Sequence, residues 1–220
     1  MTDDMREKDL PHRLLTAERD VFIPLLRRTA PEAFALRTAG CPDWTVRQVL
    51  AHCHAVLVRV IENRLGPGVF SPASNAADVA ERDTWPLDRL VDGLESAMTE
   101  AGPVLAAHEN RRLSLVALGE WVHAGDVRDT LGEPGAYAAA DDAVFDLLAF
   151  GSRLRKTPLV HAELTDRAEP LVLGEPDADR APARLVTDAP TLVRLYAGRP
   201  LNGAHFELAG AEAAELNIFG

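Results

Sequence analysis

Three side chains able to bind a metal or move a proton fall close together near the middle of the chain. They are Glu120, His123 and Asp126, in the stretch "LGEWVHAGDVRDTLG". A helix here, counted from Val116 at about 100° per residue, places Glu120 at about 40°, His123 at about 340°, Val127 at about 20° and Asp126 at about 280°. Two carboxylates and an imidazole thus share the side that carries Val116 and Val127, which is the side expected to face a core. Glu-x-x-His is a ligand spacing of helical bundles, because side chains three apart meet on one face. A second source of imidazoles is "LAHCHAV", with His52 and His54. Counted from Val46, His52 lies at about 240° and His54 at about 80°, so they flank the apolar face and cannot both serve one site. Two imidazoles and a carboxylate suit Zn²⁺ and similar divalent ions, and three protein ligands with an open fourth place make a catalytic rather than a structural site. The residues alone leave a second reading open, with Glu120 a solvated flank residue and His123 a core histidine bonded to a carbonyl.

These side chains need helices to carry them, and the first 132 residues read as helical. "LPHRLLTAERDVFIPLLRRT" sets Leu14, Leu15, Val21, Phe22, Leu25 and Leu26 at helical spacing. After a loop, "APEAFALRTAGCPD", the next helix opens at Thr45, where Thr45 and Gln48 form a capping box. Gly66 is the expected stop. "PGVFSPASNAADVAERDT" is polar and rich in turn formers, and reads as a long crossover loop. A third helix begins near Pro86 and carries Leu87, Leu90, Val91, Leu94 and Met98; the stretch around His123 is the fourth. Beyond "GEPGAYAAADD" the pattern changes. A helix over 143–154 is followed by the strand-like runs "PLVHAEL", "EPLVLGE", "ARLVT" and "HFELAG", with the helical "APTLVRLYAGR" between the last two. The sequence therefore predicts a helical domain over 1–137 and a small α+β domain over 138–220.

Several stretches together resemble one family. "CPDWTVRQVLAHCHAV" resembles the second-helix signature of the mycothiol-dependent maleylpyruvate isomerase family, within the DinB-like superfamily. "LLTAERDVFIPLLRRTAPEAF" is similar to that family's first helix, and "GEWVHAGDVRDTLG" to its H-x-x-D-[IV]-R…LG segment. "TDAPTLVRLYAGRPLNGAHFELAG" is similar to its small C-terminal domain. The resemblance implies a DinB-like four-helix bundle that binds a divalent metal, zinc first among the candidates, through His52, His123 and a glutamate. In the family pattern that glutamate stands four residues before the second histidine; here the position is Gly119 and the glutamate is Glu120. Asp126 matches the H-x-x-D aspartate and is assigned an orienting role. Arg199, in "AGRP", matches the family's Gly-Arg and is expected to clamp a substrate carboxylate. The implied activity is isomerisation or S-transfer, with mycothiol as thiol cofactor or cosubstrate acting on a small, acidic electrophile. A non-catalytic metal or thiol-conjugate binding protein and a metal-dependent hydrolase are the alternatives.

The remaining residues draw plainer expectations. Cys53 reads as a core residue, Cys41 as a structural loop residue, and His54 as a hydrogen-bonded, partly buried histidine. Trp44 and Trp121 read as packing anchors, Arg47 and Arg128 as helix-surface or interdomain ion-pair residues; histidines 12, 108, 161 and 205 receive no function. The two cysteines make neither a disulfide framework nor a zinc-ribbon spacing. A net charge of −11 without a Lys/Arg cluster argues against nucleic acid as a partner. The 47% apolar content is that of a soluble globular protein, no run is long enough to span a bilayer, and the charged start "MTDDMREKDLPH" lacks a signal peptide's apolar core. A cytoplasmic protein is the expectation. Two lysines against twenty-one arginines, with abundant alanine, fit a GC-rich genome such as that of a mycothiol-producing actinobacterium.

Overall fold

The structure, a computed structural model, describes residues 2–138 and 142–219, with side chains from residue 8 onward. Its described residues divide into two compact units, one ending at Pro134 and the other beginning at Gly135. The architecture is a helical bundle followed by a small α+β part, as the element pattern predicts.

The first unit is built from α1 (Thr2–Arg28), α2 (Val46–Ile61), α3 (Pro72–Arg82), α4 (Leu87–Ala107) and α5 (Ser114–Thr130). α1 packs on α4 and α5, and α2 packs on α4 and α5, which closes a four-helix core. Leu14, Leu15, Phe22, Leu25 and Leu26 enter that core as their spacing requires. Val21 does not: it is 50% exposed, and Ile23 takes the buried place. The Thr45–Gln48 capping box forms, with Thr45 Oγ1 accepting from Gln48 N at 3.3 Å and Gln48 Oε1 accepting from Thr45 N at 2.9 Å. α2 stops earlier than Gly66, because Asn63 adopts φ 52° just after the Glu62 cap.

The expected crossover loop contains a helix. Ser71 caps α3 and Pro72 occupies its first turn, the arrangement that favours a helix start. α3 lies on α2, where Asp78, Val79 and Arg82 are buried. Arg59 of α2 forms an ion pair with Asp78, and Arg82 Nε donates to His54 Nδ1 at 2.8 Å. Among the described residues no helix is long and apolar enough to cross a membrane.

The second unit holds α6 (Ala143–Leu154), β1 (Val160–Leu164), β2 (Leu171–Leu173), β3 (Ala183–Thr187), α7 (Ala189–Ala197) and β4 (Glu207–Ala209). The strand order is β2-β1-β3-β4; β1 and β3 run parallel from the pair Val160↔Ala183, and the outer pairs are antiparallel. Val160, Ala162 and Leu164 point inward while His161 and Glu163 face out. Gly174, after β2, has φ +87°, and a Cβ there would stand 2.0 Å from Pro158 O, so only glycine fits.

Candidate metal centre

α5 carries Glu120, His123 and Asp126 inward. Glu120 and Asp126 are buried, and the His123 side chain keeps 17% exposure. Asp126 Oδ2 lies 3.1 Å from His123 Nδ1, the contact that an i, i+3 spacing provides on a helix. A carboxylate on Nδ1 fixes the ring's orientation and leaves Nε2 as the acceptor nitrogen.

α2 brings His52 alongside. Its ring centroid is 5.3 Å from that of His123, with the planes at 85°, and Trp44 packs on it at 4.9 Å. Burial, reinforced by the charges of His123 and Arg59, pushes the His52 pKa down to about 3. The ring is therefore neutral at physiological pH, the form that binds metals. Its Nδ1 is buried and, among the described residues, has no hydrogen-bond partner. A buried polar atom without a partner costs stability unless something else meets it.

The loop before α2 supplies a third element. Thr38 Oγ1 donates to Cys41 O at 2.9 Å and accepts from Cys41 N at 3.2 Å. Trp44 N donates to Cys41 O at 2.8 Å and Thr38 N to Trp44 O at 3.0 Å, while Arg37 Nη1 donates to the carbonyls of Pro42 and Asp43. The turn so pinned sets Cys41 Sγ 3.7 Å from His123 Nδ1 and 3.7 Å from Asp126 Oδ2. Among the described residues, Cys41, His123 and Asp126 are the set whose ligand atoms all lie within 4.8 Å of one another. The reading of the sequence gave Cys41 a structural place and Asp126 an orienting one. The available signal for Cys41 was its position four residues before the cap of the helix that bears His52.

Of the four residues singled out from the sequence, the fold brings His52 and His123 together. Glu120 does not join the close set. Its carboxyl is hydrogen-bonded with the thiol of Cys53, and burial raises its pKa to about 8. Burial first, and then Glu120, likewise raise the Cys53 thiol. Arg199 belongs to the second unit, behind the left-handed Gly198 cap of α7, and its Nη1 donates to Ala197 O at 3.0 Å. His54 is held by Arg82, in keeping with a hydrogen-bonded histidine. Arg128 pairs with Glu18 of α1, and Arg47 donates to the carbonyls of Arg82, Asp83 and Trp85, so both arginines bond within the first unit. Trp121 is a core residue at 2% exposure.

Imidazole, carboxylate and thiol donors on three neighbouring segments, with one imidazole nitrogen unpartnered, fit a divalent ion of the zinc type. No family model and no curated protein sequence matches the chain. Two solved structures do: crystal structures of the mycothiol-dependent maleylpyruvate isomerase, one of them a histidine-to-alanine mutant. Each has a TM-score of 0.55 at 13% identity, over 94% of this chain and 96% of the other. At that identity the likeness is one of fold, and it extends over both parts of the chain.

Proposed function

We propose that this protein is a metal-dependent enzyme that uses a low-molecular-weight thiol, mycothiol by the family resemblance, as the nucleophile in isomerisation or S-transfer on a small electrophile. The observation that carries the proposal is the pair His52–His123: two inward imidazoles edge to face at 5.3 Å, one with an unpartnered nitrogen, the other oriented by Asp126. The two imidazoles would hold the ion with a carboxylate of α5, for which the sequence pattern names Glu120. A divalent ion bound there would supply the charge that deprotonates a coordinated thiol, whose free pKa is about 8.5.

The protein's own residues do the rest. Asp126 keeps the His123 ring from turning, so its free nitrogen stays aimed. Trp44 covers the His52 ring and keeps bulk water from it. The thiolate adds to a double bond of the substrate, the bond rotates as a single bond, and elimination returns thiol and isomer; in S-transfer the thiol stays attached. Arg199 is the proposed cation for an acidic substrate, on the Gly198-Arg199 pattern alone.

Maleylpyruvate turnover with and without added mycothiol tests this reading, alongside elemental analysis. Turnover only with mycothiol, lost together with the metal in His52→Ala and kept in His54→Ala, is the expected result. Equal metal content in wild type and His52→Ala would remove this centre from consideration.

A further inference from the structure

We infer that Cys41 is a thiolate ligand of the metal centre, and that it binds together with His123 and Asp126. The inference rests on the reading of the first unit as a metal-binding one, and it changes the donor set: a sulfur from the loop before α2, Asp126 rather than Glu120 as the carboxylate, and His123 through Nδ1 rather than Nε2.

The distances carry it. Ligand bonds of about 2.0–2.3 Å around a tetrahedral ion set neighbouring donors about 3.3–3.7 Å apart. The edges from Cys41 Sγ to His123 Nδ1 and to Asp126 Oδ2 are both 3.7 Å, at the top of that range, and the 3.1 Å between the last two is the hydrogen-bond contact described above, which an ion held through Nδ1 would replace. Sγ stands equally far from the imidazole nitrogen and the carboxylate oxygen. A single positive centre meeting all three atoms accounts for that symmetry. The loop also holds the thiol in place: three hydrogen bonds, two with Thr38 Oγ1 and one from Trp44 N, fix the Cys41 backbone. Glu120 is occupied elsewhere, with Cys53.

Three protein donors would leave one place of a tetrahedral ion for an incoming thiol.

Cobalt(II) titration of the full chain, followed by absorption spectroscopy, tests the assignment. The chain has two cysteines, so Cys53→Ser leaves Cys41 as the one thiol able to give a sulfur-to-cobalt charge-transfer band. The expected result is a band in wild type that persists in Cys53→Ser and disappears in Cys41→Ser, with zinc affinity in Cys41→Ser reduced by at least about 10–100-fold. If Cys41→Ser does not fold, wild type and Cys53→Ser still decide the matter. Cobalt bound with a ligand-field spectrum but no charge-transfer band in wild type, or a band lost in Cys53→Ser, overturns the inference and leaves the metal-enzyme reading standing. No cobalt or zinc bound by wild type overturns both.

Discussion

His123 and Asp126 show how much a three-residue spacing can specify. On a helix it sets the carboxylate against Nδ1, and the imidazole then has one orientation instead of many. Asp126→Asn keeps the shape but removes the charge, so zinc affinity should fall by about 10–100-fold with helix content unchanged; competition with a chromophoric chelator measures it. Affinity equal to wild type would show that the carboxylate plays no part. Helical periodicity turned His123 toward the core and set His52 and His54 on opposite flanks of α2, and it was the family resemblance that chose His52 between them. Cys41 was not legible in the sequence, because its position depends on a turn stitched by Thr38 and Trp44, and such turns carry no periodic signal. The displacement of Glu120 was visible as a one-residue shift from the family spacing. Its consequence, a carboxyl turned to Cys53, depends on a neighbouring helix that a helical wheel of α5 alone does not contain.

Helices announced by apolar stripes and caps were found where expected, and α3 was the exception. Its sequence offers one buried apolar side chain, Val79, and it is held instead by polar contacts, Arg59 with Asp78 and Arg82 with His54. Composition alone assigns such a stretch to a loop, since its stability comes from a partner distant in sequence. The same logic separates two caps. Thr45 and Ser71 both accept a backbone N–H in the first turn of a helix, so alanine at either should cost about 1 kcal/mol in urea unfolding. Only Thr45 joins the Cys41 turn to the helix of His52. Thr45→Ala should therefore also weaken zinc binding, whereas Ser71→Ala should leave it as in wild type; equal affinities for the two variants would break the link between the α2 cap and the metal centre.

Among the described residues the close set of metal-ligand candidates falls in the first unit, and the second unit carries a different electrostatic feature. In the second unit Arg180 grips Glu215 through both oxygens at 2.7 and 2.8 Å, and Glu212 N donates to the same carboxylate. The Arg180 bonds first, and then the Glu212 backbone, lower the Glu215 pKa to about 2. A folded-state pKa below the unfolded one means the unfolded chain binds the proton first as the solution is acidified. The stabilisation is thus full above about pH 4.5 and is lost as pH falls toward 2. Across that window wild type should take up about one more proton on unfolding than Glu215→Gln does, read from the pH dependence of urea midpoints. Parallel curves for the two proteins would contradict the assignment.

Cys41 and His123 stand 82 positions apart, and that span makes an ion between them a cross-link as well as a reagent. Tying such distant points removes conformations from the unfolded chain in the way a disulfide does, by about 4–5 kcal/mol in chain-entropy terms. The chelated protein should then melt lower by on the order of 10 °C, and a given zinc concentration should restore less of the loss in Cys41→Ser than in wild type. The tie should also be felt locally, as slower amide exchange in α5 of the zinc-loaded protein than of the chelated one.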